Sequence, residues 1–174
     1  MCGLAVVTGY ALLGATWLMM KTTGPVEERA RRLGPPLLLA LLAFIAIVSV
    51  WTPLEFERIA QRWFTFPNFL FLAQVPVATA LFAWLCWWGM KRGRTVLPFL
   101  SAIAIFLMAF LGLVLSNVPY MVPPTMSVWD AAAYARSQVF FLIGASILLP
   151  MILAYTVLVF WLFRGKLKAG EGYH

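Results

Sequence analysis

Hydrophobic residues in this chain do not alternate with polar ones; they come in long blocks separated by short polar stretches. Five blocks stand out, at 3–20, 37–51, 69–90, 97–115 and 139–163, and none contains Asp, Glu, Lys or Arg. As an α-helix rising about 1.5 Å per residue the first block is roughly 27 Å long, close to the ~30 Å hydrocarbon core of a bilayer. The second is short, with Pro35 and Pro36 near its start and Pro53 after its end. Pro76 lies one or two turns into the third. Pro150, near the middle of the fifth, cannot donate to Ser146, so a kink is expected there. The pattern predicts an all-α integral membrane protein: one domain over 1–174 with five transmembrane helices, short loops and brief interfacial helices on the outer side.

Composition strengthens this picture. The chain is 63% hydrophobic and only 11% charged, with a mean hydropathy of +0.91, far from a soluble domain. The net charge of +7 would suggest nucleic acid in a soluble protein. Here the cations lie between apolar spans, and the positive-inside rule accounts for them without such a partner. Cys2 and Cys86 both fall in apolar stretches and read as small packing residues. The chain enters its first span almost at once, without a basic signal-peptide head, which suggests the latter portion of a longer subunit.

Charge also orients the spans. Lys21, Arg29, Arg31 and Arg32 follow the first block; Lys91, Arg92 and Arg94 lie between the third and fourth; Arg164, Lys166 and Lys168 follow the fifth. Only Arg58, Arg62 and Arg136 lie on the other side. The expectation is a cytoplasmic C-terminus in the bacterial inner membrane.

Within the first span, Ala5 pairs with Gly9 and Ala11 with Ala15 at helical spacing, a pattern that lets a second helix approach closely in lipid. Gly9, Trp17 and Lys21 are the residues here expected to carry packing or partner contact. In the outer connection 116–138, Pro119, Pro123 and Pro124 predict an extended start. Ser127-Val128-Trp129-Asp130 then fits a capping box opening a brief helix. Trp129 and Asp130 are either interfacial cap residues or contacts to a partner or substrate, and Pro150 is the structural candidate in the last span. The other outer connection, 52–68, combines Glu55, Glu57, Arg58 and Arg62 with Trp63, Phe64 and Phe66, the pattern of a short surface helix ending in an aromatic belt.

Candidate chemistry is sparse. The only histidine is His174, outside every span, so no spanning histidine is present to ligate haem. Ionisable groups that would mark a proton or ion path are missing from the five spans. Tyr10, Thr16, Ser49, Gln74, Thr79, Ser101, Ser146, Tyr155 and Thr156 are expected to tie helices together by hydrogen bonds. No catalytic or metal-binding set can be assembled from these residues. A small transporter or channel subunit remains an alternative class, although it calls for polar groups facing a cavity.

Several segments together resemble one family. YALLGATWLMMKTTGPVEERARR, then WTP and RWFTFPN, then PYMVPPTMSVWDAAA, then ILLPMILAYTVLVFWLFRGK with a terminal GYH are similar to subunit II of cytochrome bd-type quinol oxidases, in the right order along the chain. The RGK…GYH ending most resembles the cyanide-insensitive branch. Asn117-Val118-Pro119 and Tyr134-Ala135-Arg136 depart from the family pattern. The resemblance implies the C-terminal portion of a subunit about twice as long. It further implies a complex that oxidises a membrane quinol and reduces dioxygen to water. Haem b and haem d would then sit in the partner, subunit I, with subunit II a haem-free scaffold that binds no cofactor itself.

Overall fold

The computed structural model describes residues 2–64, 68–122, 125–163 and 165. The elements run α1 (Cys2–Lys21), α2 (Pro25–Glu55), α3 (Glu57–Phe64), α4 (Asn68–Lys91), α5 (Val96–Asn117), β1 (Tyr120–Val122), β2 (Met126–Ser127) and α6 (Ala135–Leu162). Among the described residues five helices are long and apolar enough to cross a membrane: α1, α2, α4, α5 and α6. The fold is all-α apart from one two-stranded ribbon. The chain separates into two compact units, one formed by residues up to Ser116 and the other by 117–165.

In the first unit, α1 and α2 form a hairpin. α1 ends at Lys21, Thr22 N–H donates to the Leu18 carbonyl (2.9 Å), and Gly24 takes φ +76°, open to a residue without Cβ. α2 begins at Pro25, which needs no N–H partner there, with Glu27 and Glu28 in its first turn complementing the positive end of the helix. This corrects the short second span. The helix starts twelve residues before Leu37 and carries Pro35, Pro36 and Pro53 inside it. Proline removes a single donor at each site, and such losses are tolerated in membrane helices where other groups or water reach the freed carbonyls. Arg29, Arg31 and Arg32 therefore stand on a helix and not in a loop.

The core of this unit gathers Leu12 and Met19 of α1, Ala30, Leu38 and Leu41 of α2, Cys86 and Met90 of α4, and Ala102 and Ile105 of α5. Three glycines set the close approaches. A Cβ on Gly34 would lie 2.5 Å from Met90 Sδ and 2.7 Å from Met19 Cε, and one on Gly89 would lie 3.1 Å from Pro98 Cδ. Gly9 is buried under the Phe106 ring, whose Cζ a Cβ would strike. The neighbour facing Gly9 is thus a side chain of α5, where close backbone approach was expected. Ala15 is buried and Ala11 is exposed, so that pair does not share one packing role.

The hydroxyl groups behave differently from expectation. Thr16 donates to the carbonyls of Leu12 and Leu13, Thr79 to Val75, and Ser146 to Ile143. Each satisfies its own helix one turn back instead of bridging to another, because that carbonyl is always within reach. Bonds between helices come from other residues: Trp63 Nε1 donates to Ser116 Oγ (3.1 Å), fastening α3 to α5, and the Cys86 thiol points at the Pro98 carbonyl (3.5 Å).

In the second unit, β1 and β2 pair antiparallel with an irregular register, Tyr120 opposite Ser127 and Val122 opposite Met126. The extended start predicted after Pro119 is present; Pro123 and Pro124, like Phe66, His174 and the tail cations Arg164, Lys166 and Lys168, lie outside the described residues. α6 runs from Ala135 to Leu162 with Pro150 inside it, and none of its residues is buried. Apolar side chains surround it on every side, as on a membrane span.

Replacing Gly9 by leucine tests the α1–α5 contact. The new side chain must displace the Phe106 ring, overpacking that costs about 1–3 kcal/mol, and acyl chains offer no compensating gain. Thermal unfolding in detergent should show the loss, and Phe106→Ala in the same background should recover part of it. A Gly9→Leu chain as stable as the parent would mean that Phe106 does not seat on α1.

Candidate functional site

The polar chemistry of the first unit concentrates at one end, where both helical hairpins turn. The α4–α5 turn is built as a Schellman cap: Gly93 N–H bonds the Met90 carbonyl (3.4 Å), Arg94 N–H bonds the Gly89 carbonyl (3.0 Å), and Gly93 takes φ +71°. Arg31 of α2 reaches across to this cap. Its Nη1 donates to the Met90 carbonyl at 2.9 Å while Nη2 pairs with Glu27 Oε1 at 2.7 Å. A cation is thereby placed on the last carbonyls of α4, at the negative end of that helix.

Tryptophans flank the same end. Lys21 Nζ lies 5.5 Å from the centre of a Trp17 ring, Lys91 Nζ 5.1 Å from Trp87, and the guanidinium carbons of Arg92 and Arg94 each 4.9 Å from Trp88. Trp17 also packs on Phe99 at 5.1 Å, and Trp84 stacks near Trp88 at 6.2 Å. Seven of the chain's 13 cations (Lys21, Arg29, Arg31, Arg32, Lys91, Arg92 and Arg94) lie in these two turns or on the helix ends that flank them. Aromatic faces attract the cations, and amphipathic indoles with basic tips suit a membrane–water boundary.

The six residues singled out from sequence fall into two groups. Gly9, Trp17 and Lys21 lie on α1 in the first unit, where Trp17 and Lys21 meet each other and Gly9 meets Phe106. Trp129, Asp130 and Pro150 lie in the second unit, all exposed. Reciprocal capping forms as the motif implies: the Ser127 backbone N–H and hydroxyl donate to Asp130 Oδ2 (3.2 and 2.6 Å), and Asp130 N–H donates to Ser127 Oγ (3.2 Å). The expected brief helix does not follow. The box closes a single turn, Ala131 N–H to the Ser127 carbonyl at 3.1 Å. Tyr134 then adopts an extended conformation to cap α6, and its carbonyl receives Ser137 and Gln138 N–H. The chain leaves the turn to start a longer helix.

Arg31, Met90, Phe99 and Phe106 were not anticipated. The Glu27–Arg31 spacing of four residues just after a helix-starting proline was the available signal for Arg31; the two aromatic contacts depend on tertiary packing and have none. Among the described residues no group of three or more His, Cys, Asp or Glu could hold a metal ion. Met19 and Met90 are committed to packing at Gly34, and no helix carries a histidine.

Two outcomes test these placements. Arg31→Gln should leave the α4 cap more open, costing on the order of 1 kcal/mol for a half-exposed charged hydrogen bond. Amide exchange at Gly93 and Arg94 should accelerate, with only partial recovery in Arg31→Lys, which lacks the two-pronged geometry. Unchanged exchange at both amides would remove Arg31 from the cap. In the second unit the Ser127 hydroxyl, and then its backbone N–H, hold the Asp130 carboxyl below its ordinary pKa. A depressed pKa stabilises the turn above the ordinary carboxylate range, and that contribution is lost as the pH falls through the lowered value. Protection of the Ser127 amide should stay flat from neutral pH down to the carboxylate range and fall only in stronger acid. Asp130→Ala should abolish it at every pH.

The geometry can now be set beside known proteins. The family described as cytochrome bd terminal oxidase subunit II matches residues 1–163. A search of individually curated proteins finds no significant match. That family forms a complex with subunit I, and the haems belong to the complex. Matched over nearly its whole length and carrying five apolar helices, the chain is a multi-pass membrane protein that belongs to the cytochrome bd terminal oxidase subunit II family.

Proposed function

We propose that this chain is a haem-free scaffold: the C-terminal portion of its subunit, supporting quinol oxidation and dioxygen reduction by the haem-bearing subunit I. The observation that carries the reading is the distribution of chemistry along the chain. The five apolar blocks hold no Asp, Glu, Lys, Arg or His, and every such residue lies in the stretches that flank them. Such helices present packing surfaces to neighbours and offer no histidine for iron and no charged side chains to relay protons. α6, apolar on all sides, suits contact with lipid or with another membrane helix.

The basic end of the first unit faces the cytoplasm in this reading, and the C-terminus with it, because short cation-rich connections are retained on that side. Gly9, Trp17 and Lys21 then belong to the scaffold's internal packing, and Trp129 and Asp130 shape the connection on the opposite side.

Purification separates a scaffold from a haem protein. The isolated chain is expected to show no Soret absorbance, while haem recovered with subunit I should fall in proportion to the amount of this chain in the complex. A stoichiometric Soret band from the isolated polypeptide, lost on replacing a single methionine, would overturn the reading. A reporter fused after His174 that is active only outside the cytoplasm would reverse the orientation.

A further inference from the structure

Between α1 and α2 runs an open groove that the core does not fill. Ala11, Gly14 and Leu18 line it from α1, and Arg29, Leu33 and Leu37 from α2. Its floor is open at Gly14, where an added Cβ would meet no atom within 4 Å. This contrasts with Gly9 and Gly34 on the same two helices, where a Cβ would strike a neighbour. All the groove's lining is apolar except at the end near the α1–α2 turn, where Arg29 stands. Among the described residues Arg29 makes no ion pair or hydrogen bond.

We propose that this groove holds one acyl chain of an anionic phospholipid whose phosphate pairs with Arg29. Length argues for a lipid. From Val26 to Leu37 the groove follows eleven residues of helix, about 16 Å, close to the ~15 Å half-thickness of a hydrocarbon core. A packed helix would be expected to follow α1 and α2 further, yet α1 continues to Cys2 and α2 to Glu55 beyond the groove's end. Charge argues for the headgroup. The arginine stands one helical turn in from Val26, at the turn end of the groove, within side-chain reach of the boundary where a phospholipid carries its phosphate, and a guanidinium recognises phosphate oxygens in a forked, charge-assisted geometry. Small residues at Ala11 and Gly14 leave room for methylenes, and the flanking leucines contact the chain along its length.

The test places the full chain in bilayers containing spin-labelled phosphatidylglycerol or phosphatidylcholine and measures the motionally restricted lipid. The parent should restrict phosphatidylglycerol about five-fold more strongly, the factor expected for one basic side chain at an anionic headgroup. Arg29→Gln should lose that preference, and Arg29→Lys should keep most of it. A Cβ at Gly14 meets no protein atom within 4 Å, so Gly14→Leu should fold normally by circular dichroism while its side chain occupies the groove, and lose the groove's share of the restricted component for both lipids. Equal restriction of the two lipids by the parent, or an unchanged restricted component in Gly14→Leu, would overturn the proposal. The measurement uses this chain without its partner, so its failure is separate from any failure of the scaffold reading.

Discussion

In a bilayer, apolar surface gains little by leaving acyl chains for other apolar side chains, and this constraint governs how the first unit holds together. Cohesion must come from close packing and from a few polar ties that lipid cannot replace. Both are present. Gly34 admits Met19 and Met90 to the same point, Gly89 admits Pro98, and Gly9 lies under Phe106, so four helices meet where a glycine removes the obstacle. The ties are fewer: Arg31 to the Met90 carbonyl, and Trp63 to Ser116. The Thr16 and Thr79 hydroxyls add little to this, because they turn back on their own helices.

That division explains what could be read from the residues and what could not. The five spans were legible because charge is excluded from them and bounds them, and the structure places a helix over each. The start of α2 was not, because Pro35 and Pro36 read as a boundary. Proline penalises a helix interior through one lost donor and one steric clash, and that penalty is smallest where the freed carbonyls can find other partners. Pro25 and the two glutamates after it were the stronger start signal, masked by the number of charges that follow. At Ser127-Asp130 the local motif formed as its spacing implied, yet its extent was set by the next element, since α6 needed its own extended cap at Tyr134. Side-chain partners of Gly9 and Trp17 could not be inferred, because helical spacing reveals a face and not what stands opposite it.

The basic end of the first unit shows one set of charges serving two purposes. Helices α1 and α4 finish there, with Lys21 and Lys91 in their last turns, and helix C-termini favour cations. α2 starts there and carries Glu27 and Glu28, the acids its own terminus prefers. Arg31 is the exception, since it stands near the start of α2, where a cation is unfavourable. It is accommodated because its charge is directed away from its own helix, toward Glu27 and the carbonyl end of α4. The cations that cluster between the apolar spans are thus also those that close its helices. Trp17, Trp87 and Trp88 hold their partners close to the boundary instead of leaving them free in water. With polar groups occupied in this way at the ends, what the spans offer along their length is shape alone: glycine seats, aromatic rings and apolar faces.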